Sequence, residues 1–335
     1  MARWGVTGDI HLKIFNDNEY TDDGIPLKLM EILNSFDNMC KYLLANKIDK
    51  VAILGDVNDT KEIAAVRAFS LFSKVLENYP NITFYIIPGN HDITSKKGNE
   101  TAVDLLKGPS NIITIEETTN IDNITFIPFT DHMIDDLKEV ESNDILMSHF
   151  GASDAQLSNG RSIRTRISST DLNKWKLVLC GHYHKPQKIN HLYYTGTLVP
   201  LTRAEFGEEK RFLIIDTETL DVESIPTEGY RKYYEFIIED KEEAEAMIKE
   251  AEILKEEGNF VTVRNRLSDV ITDNESNLNI VEEYEEEFQV RGITRGMTTE
   301  KQMLKYMEIM RIPEDECKEY LEIGLNGINR EIVNE

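Results

Sequence analysis

Short apolar runs bounded by turn residues alternate with stretches of helical spacing through the first 150 residues of the chain. Val51-Ala52-Ile53-Leu54, Thr83 to Ile87, Ile124 to Ile127, Ile145-Leu146-Met147 and Leu177-Val178-Leu179-Cys180 read as strands. Uninterrupted apolar runs of this kind suit strands covered on both faces. Apolar positions recurring every three or four residues predict helices from Leu27 to Leu44 and from Ile63 to Leu76. From about Tyr193 the pattern turns strand-rich, with Arg211 to Asp216 and Leu220 to Ser224, which predicts a second sheet packed on the first. The expected class is a layered α/β domain.

The pattern changes near Pro226. Tyr233 to Ile238 reads as a strand, Lys241 to Glu257 as a charged helix ended by Gly258, and Phe260 to Arg264 as another strand. This unit is expected to form a small β-α-β cap. An acidic run (Glu282, Glu283, Glu285, Glu286, Glu287) reads as a solvated linker. Met303, Leu304, Met307 and Met310 then stand at helical spacing, Pro313 interrupts, and Cys317, Tyr320 and Leu321 suggest a further helix. The expected division is 1–226 for the main domain, 227–268 for the cap, 269–298 for the linker and 299–335 for a helical tail. The tail's apolar stripe either docks into a partner's groove or packs on its own domain.

Composition narrows the class. Of 335 residues 40% are hydrophobic, enough for a real core. No apolar run approaches the ~20 residues that span a bilayer, and the N-terminus runs straight into Arg3-Trp4-Gly5-Val6-Thr7 without a signal region. Cys40, Cys180 and Cys317 form no pairing or zinc spacing, which fits a reducing cytoplasm. The formal net charge of −24 disfavours a nucleic-acid partner, but its distribution is uneven. Residues 151–214 carry 10 Lys+Arg against 5 Asp+Glu: Arg161, Arg164, Arg166, Lys174, Lys176, Lys185, Lys188, Arg203, Lys210 and Arg211. This island reads either as local fluctuation or as a phosphate-facing surface.

Five short motifs stand at the ends of expected strands: D-I-H (Asp9 to His11), G-D-V-N-D (Gly55 to Asp59), G-N-H-D (Gly89 to Asp92), S-H-F (Ser148 to Phe150) and G-H-Y-H (Gly181 to His184). Strand ends of α/β sheets are where side chains from distant segments meet in one crevice. Five of the seven histidines lie in these motifs, and His132 and His191 do not. Mixed imidazole and carboxylate donors suit manganese, iron or zinc, whereas calcium wants only oxygens. Alternation along a continuing strand would aim Asp9 and His11, and likewise His182 and His184, at one ion. Asp56 offers two oxygens and can bridge two ions, while Asn90 adds a neutral oxygen. Two ions roughly 3.5–4 Å apart would clamp the attacking and leaving oxygens of a phosphoryl group. A lone D-x-H or H-x-H is more often a chance pair or a packed histidine; five motifs in this order at strand ends are not.

These residues resemble the calcineurin-like metallophosphoesterase superfamily, whose order D-x-H, G-D-x-x-D, G-N-H-D/E, H, G-H-x-H is reproduced in full. Within it the chain resembles the SbcD-type nuclease subunit of DNA double-strand-break repair and its bacteriophage recombination counterparts. The wording G-N-H-D, the Thr60-Lys61 that follows the second motif, Tyr194 to Thr197, Phe206 to Glu209 and Phe212 to Asp216 carry that branch. The resemblance implies an α/β/β/α sandwich over residues 1–226 with the cap and helical tail appended. It implies one ion on Asp9, His11, Asp56 and His184, a second on Asp56, Asn90, His149 and His182, and His91 as the catalytic acid, oriented by a neighbouring carboxylate. Manganese is the expected ion. The implied activity is DNA exonuclease and endonuclease, the implied partner an SbcC-type coiled-coil ATPase, and the implied assembly a heterotetramer containing two copies of this chain joined near residues 62–78. If the chain is phage-encoded, the compartment is the host cytoplasm. A small-molecule phosphodiesterase or protein phosphatase would carry the same centre and is the alternative. A scaffold that had lost its site is disfavoured because every ligand type is present. The second motif departs from the branch at Asn58 and Asp59, which leaves the role of Asp59 open.

Overall fold

A computed structural model describes residues 3–16, 19–61, 63–93, 100–141, 143–267, 278–282 and 299–309. The chain divides by its contacts into Met1–Tyr233 and Tyr234–Glu335.

The first unit holds two six-stranded sheets. One contains β1 (Arg3–Thr7), β2 (Lys50–Leu54), β3 (Thr83–Ile87), β4 (Ile112–Thr114), β11 (Arg211–Asp216) and β12 (Val222–Pro226), in the order β12-β11-β1-β2-β3-β4. The other contains β5 (Thr119–Ile121), β6 (Ile124–Ile127), β7 (Ile145–His149), β8 (Leu177–Gly181), β9 (Gln187–Ile189) and β10 (Leu192–Tyr194), in the order β5-β6-β7-β8-β10-β9. β1 to β4 run parallel, as do β6, β7 and β8, so their C-terminal ends share one edge of each sheet.

Side-chain alternation sorts each strand between two cores. Val51, Ile53, Phe84 and Ile86 face α1 (Leu27–Ala45) and α2 (Val66–Glu77), where Leu29, Ile32, Phe36, Leu43, Phe69 and Phe72 cover them. Ala52 and Leu54 face inward and meet Phe126, Ile145, Met147 and Leu179 of the second sheet. Leu146, Val178 and Cys180 face the far side, under Met133 and Leu137 of α3 (Met133–Glu139) and under Leu172 and Trp175. The result is the expected α/β/β/α layering, and it explains why the central strands lack a polar face.

Two boundaries differ from the spacing. α2 begins at Val66 rather than Ile63 because Asn58 Nδ2 donates to the carbonyls of Thr60 (2.6 Å) and Ile63 (3.1 Å), fixing those residues in a loop. β12 begins at Val222 rather than Leu220, because Leu220 closes the preceding turn with φ 64° and Asp216 Oδ1 accepts from the Glu218 and Thr219 amides.

The second unit has a three-stranded sheet of β13 (Tyr233–Ile238), β14 (Phe260–Asn265) and β15 (Asn279–Glu282), with α4 (Lys241–Glu256) against it. β15 lies within the stretch expected to be linker and pairs in parallel with β14. Helix α5 (Thr299–Ile309) exposes Leu304 and Tyr306 and buries Met307. The remainder of the expected linker, and the tail beyond Ile309 with Met310, Pro313, Cys317, Tyr320 and Leu321, lie outside the described residues. No described helix is long and apolar enough to cross a membrane.

Candidate metal centre

All seven expected donors meet at the C-terminal ends of β1, β2, β3, β7 and β8. Strand alternation does not place them. β1 ends at Thr7, and Asp9 and His11 each follow it in the left-handed region, at φ 52°. Asp56 (φ 51°) and His182 (φ 92°) are left-handed as well. Non-glycine residues in this region cost of order 1–3 kcal/mol each and persist where the surroundings over-determine them. Here the Asp9 amide donates to the Gly55 carbonyl and the His11 amide to the Asp56 carbonyl, both at 2.9 Å, while Ile10 and Leu12 anchor in the core. Gly181 is required at its position: a Cβ there would meet His149 Nδ1 at 2.8 Å and the Leu54 carbonyl oxygen closer still.

The donors form two groups, Asp9, His11 and His184, and Asp56, His149 and His182, whose ligand atoms lie within 4.8 Å of one another in each. Asp56 stands between them: its Oδ2 is 3.3 Å from His149 Nε2 and 3.8 Å from His11 Nε2. Asn90 Oδ1 completes the second group, 3.0 Å from His149 Nε2 and 2.9 Å from His182 Nδ1.

The tautomers follow from the partners. His149 Nδ1 donates to the Leu54 carbonyl at 2.8 Å, so in the neutral ring Nε2 carries a lone pair. That lone pair, Asp56 Oδ2 and Asn90 Oδ1 are then three acceptors aimed at one another. Burial alone would depress His149, but Asp56 and then Asp9 outweigh it and raise its pKa to about 9. Acceptors so placed call for a cation between them. Burial, followed by the charge on His149, pushes His182 down to about 3 and keeps its ring neutral. Burial opposes the ionisation of Asp56, yet His149 and His11 hold its carboxyl far below the usual range. In the first group His11 Nδ1 lies 3.5 Å from Asp59 Oδ1, and His184 Nδ1 donates to Glu205 Oε1 at 3.1 Å. Their Nε2 atoms face each other at 3.0 Å. Convergent nitrogen and carboxylate donors fit divalent transition-metal ions in both places.

His91 sits beside the donors. Its amide donates to Asp56 Oδ1 at 2.8 Å, and its ring Nδ1 is 2.5 Å from the Asp59 carbonyl oxygen. The orienting group is therefore a main-chain carbonyl and not the expected carboxylate. It fixes Nδ1 as a donor. The Asp59 carboxylate serves His11 instead, and is itself held by Lys13 Nζ at 2.9 Å. Asp92, fully buried, accepts from the Gly89, Val57 and Asn58 amides and ties the second and third motifs together. Burial and the nearby Asp56 raise its pKa to about 7. His132 is exposed, and His191 Nε2 bonds the Leu172 carbonyl; neither approaches the donors.

Part of the basic island is engaged by its own fold. Lys210 is fully buried and pairs with Glu205 and Glu208, both at 2.8 Å. Arg211 donates to the Tyr194 carbonyl, Lys174 to the Val140 carbonyl, and Lys176 pairs with Asp144. Arg161, Arg164 and Arg166 are exposed on the loop that follows β7. The root of that loop lies against the candidate donors, since a Cβ on Gly151 would meet His182 Cδ2 at 3.0 Å.

The sequence profile of calcineurin-like phosphoesterases matches residues 2–186, more than half of the chain. The DNA double-strand break repair protein Mre11 of Methanocaldococcus jannaschii is 29% identical over 256 residues, covering 67% of this chain and 68% of that protein. Exonuclease subunit 1 of Enterobacteria phage T4 is 23% identical over 232 residues, covering 65% of this chain and 66% of that protein. The chain thus spans about two thirds of the length of each. Among solved structures, a dimetal phosphatase from Danio rerio is 10% identical, covers 68% of this chain and 99% of that one, and superposes with a TM-score of 0.40.

Proposed function

We propose that this chain, which belongs to the calcineurin-like phosphoesterase family, is a metal-dependent nuclease hydrolysing phosphodiester bonds in DNA, as an exonuclease with endonuclease action. One observation carries the reading: Asp56, which accepts from the His91 amide, lies between two groups of candidate donors, 3.3 Å from His149 Nε2 in one and 3.8 Å from His11 Nε2 in the other. The names of the two relatives, a DNA double-strand break repair protein and an exonuclease subunit, support DNA as the substrate.

Asp9, His11, Asp56 and His184 would hold one ion, and Asp56, Asn90, His149 and His182 the other, with manganese the ion of choice. Ions held there would supply positive charge against the attacking and leaving oxygens of a phosphoryl group. His91 hands a proton from Nε2 to the departing sugar oxygen while Nδ1 keeps its bond to the Asp59 carbonyl. The exposed Arg161, Arg164 and Arg166 grip the phosphate backbone. The partner in this reading is an SbcC-type coiled-coil ATPase, met through the tail, in a heterotetramer with two copies of this chain that processes DNA ends in recombination. The family resemblance supports that assembly, as does the word subunit in the phage relative's name.

Purified protein with manganese should degrade linear duplex DNA and leave cyclic nucleotides and phosphopeptides intact. Turnover of either small substrate with duplex DNA untouched would overturn the reading. It would favour the alternative, a small-molecule phosphodiesterase or protein phosphatase. The net charge of −24 and the engagement of Lys210 and Arg211 within the fold speak for that alternative.

A further inference from the structure

Behind His184, on the side away from the other donors, lies a closed set of buried charges. Glu205 and Lys210 are 1% and 0% exposed. Glu205 Oε1 accepts from His184 Nδ1 at 3.1 Å, from the Thr202 amide at 3.2 Å and from Thr202 Oγ1 at 3.0 Å. Its Oε2 accepts from Thr197 Oγ1 at 2.9 Å, the Leu201 amide at 3.1 Å and Lys210 Nζ at 2.8 Å. Lys210 Nζ also donates to the His184 carbonyl at 3.1 Å and to Glu208 Oε2 at 2.8 Å. His184 is gripped at ring and backbone by the same cluster.

From this geometry we infer that Glu205 is a positioning residue for the metal centre: it holds His184 as the Nδ1–H tautomer, rotated so that the Nε2 lone pair faces His11. The inference rests on the reading of Asp9, His11 and His184 as metal donors.

Three features carry it. The first is satisfaction. With six donors on its two oxygens Glu205 has no freedom to turn. The second is charge. Lys210 would cancel Glu205, but Glu208 pairs with the same ammonium, which leaves one net negative charge in the cluster facing the imidazole. A carboxylate on the outer nitrogen of a metal-binding histidine fixes the ring and raises its basicity toward the ion. The third is local construction. Glu205 closes a capping box on Thr202 at the head of the short 3-10 turn Arg203–Glu205, so the backbone that delivers the carboxylate is fixed by the carboxylate itself.

The test is a calorimetric titration of Mn2+ into full-length protein and into Glu205→Gln, which keeps the size and the acceptor oxygen but removes the charge. Wild type should bind two ions. In Glu205→Gln one should weaken about 10–100-fold and the other remain, with the melting profile still cooperative. Two ions at wild-type affinity in Glu205→Gln would overturn the inference, whereas a wild type that binds no ion would overturn the metal-donor reading and the inference with it. Should Glu205→Gln fail to fold, 15N chemical shifts of the His184 ring in metal-free wild type decide the matter. A protonated Nδ1 with a bare Nε2 is expected, and the opposite tautomer overturns the inference.

Discussion

His11 Nε2 and His184 Nε2 face each other at 3.0 Å, although each ring has its Nδ1 turned to a carboxylate, Asp59 for the first and Glu205 for the second. With both rings neutral and protonated at Nδ1, two lone pairs at that distance repel, and the adjacent Asp9 and Asp56 add negative charge to the same space. A metal ion relieves all of this at once, so binding should be tied to stability. Addition of Mn2+ should raise the melting temperature, by the equivalent of about 2.7 kcal/mol when the free ion is 100 times its Kd, and chelation should reverse it. Differential scanning calorimetry with Mn2+ and with EDTA measures this. Superimposable melts would mean that the donors hold no ion.

His91 provides a separable prediction, because only its amide touches Asp56 and its ring nitrogens touch no donor oxygen. His91→Ala keeps that amide. It should bind Mn2+ like wild type and hydrolyse DNA ~10²–10⁴-fold more slowly. With bis-p-nitrophenyl phosphate the loss should be much smaller, since nitrophenolate departs without a proton. An equal loss on both substrates would assign His91 to structure instead of proton transfer.

The layers and the donors were legible in the sequence for one shared reason: each depends on residue type within a short segment. An apolar run such as Val51 to Leu54 has to be covered on both faces, and G-N-H-D after a strand carries its chemistry with it. What was not legible depends on contacts across the chain or on groups that have no residue identity. The carbonyls of Leu54 and Asp59, which set the tautomers of His149 and His91, leave no mark on the sequence. Lys210 read as one more cation in a basic stretch, and only folding shows it buried between Glu205 and Glu208. Thr202-x-x-Glu205 was readable as a capping box, but nothing local connects it with His184, 21 positions earlier. The paired left-handed turns at Asp9 and His11 replaced the strand alternation expected there, because amide bonds to Gly55 and Asp56 pull the chain toward β2.

With Lys210 and Arg211 engaged within the fold, the proposed DNA contact rests chiefly on the exposed arginines. Arg161, Arg164 and Arg166 lie on the loop whose ends are joined by the bond from the Ser153 amide to the Ile167 carbonyl, at 2.8 Å. Changing all three to Gln should weaken duplex binding and flatten its salt dependence. For every phosphate that the variant no longer neutralises, the slope of log K against log salt should become shallower by about 0.9. Hydrolysis of bis-p-nitrophenyl phosphate should not change. Fluorescence anisotropy across a salt series measures the slope, and an unaltered slope would move the DNA surface elsewhere.

Lys28, on the buried side of α1, yields a prediction about pH. Its Nζ donates to Tyr233 Oη at 2.7 Å and to Glu31 Oε2 at 3.3 Å. Burial lowers its pKa from 10.5 to about 8, against the opposing pull of Glu31. Between those values the unfolded chain keeps a proton that the folded chain has released, so stability should rise with pH across about 8 to 10.5 as far as this group is concerned. Below pH 8 both states are protonated and the full cost of the buried ammonium is present. Lys28→Met removes the titration while leaving Glu31 its bonds from Arg231 Nε and Tyr233 Oη, each at 2.6 Å. Relative to Lys28→Met, the wild type should therefore gain stability from pH 8 upward, with a slope approaching about 1.4 kcal/mol per pH unit in the middle of the window. Urea unfolding of both proteins at pH 7, 8, 9 and 10 measures the difference, and groups titrating alike in the two proteins cancel from it. Parallel stability curves would show that Lys28 keeps its proton in the folded state throughout.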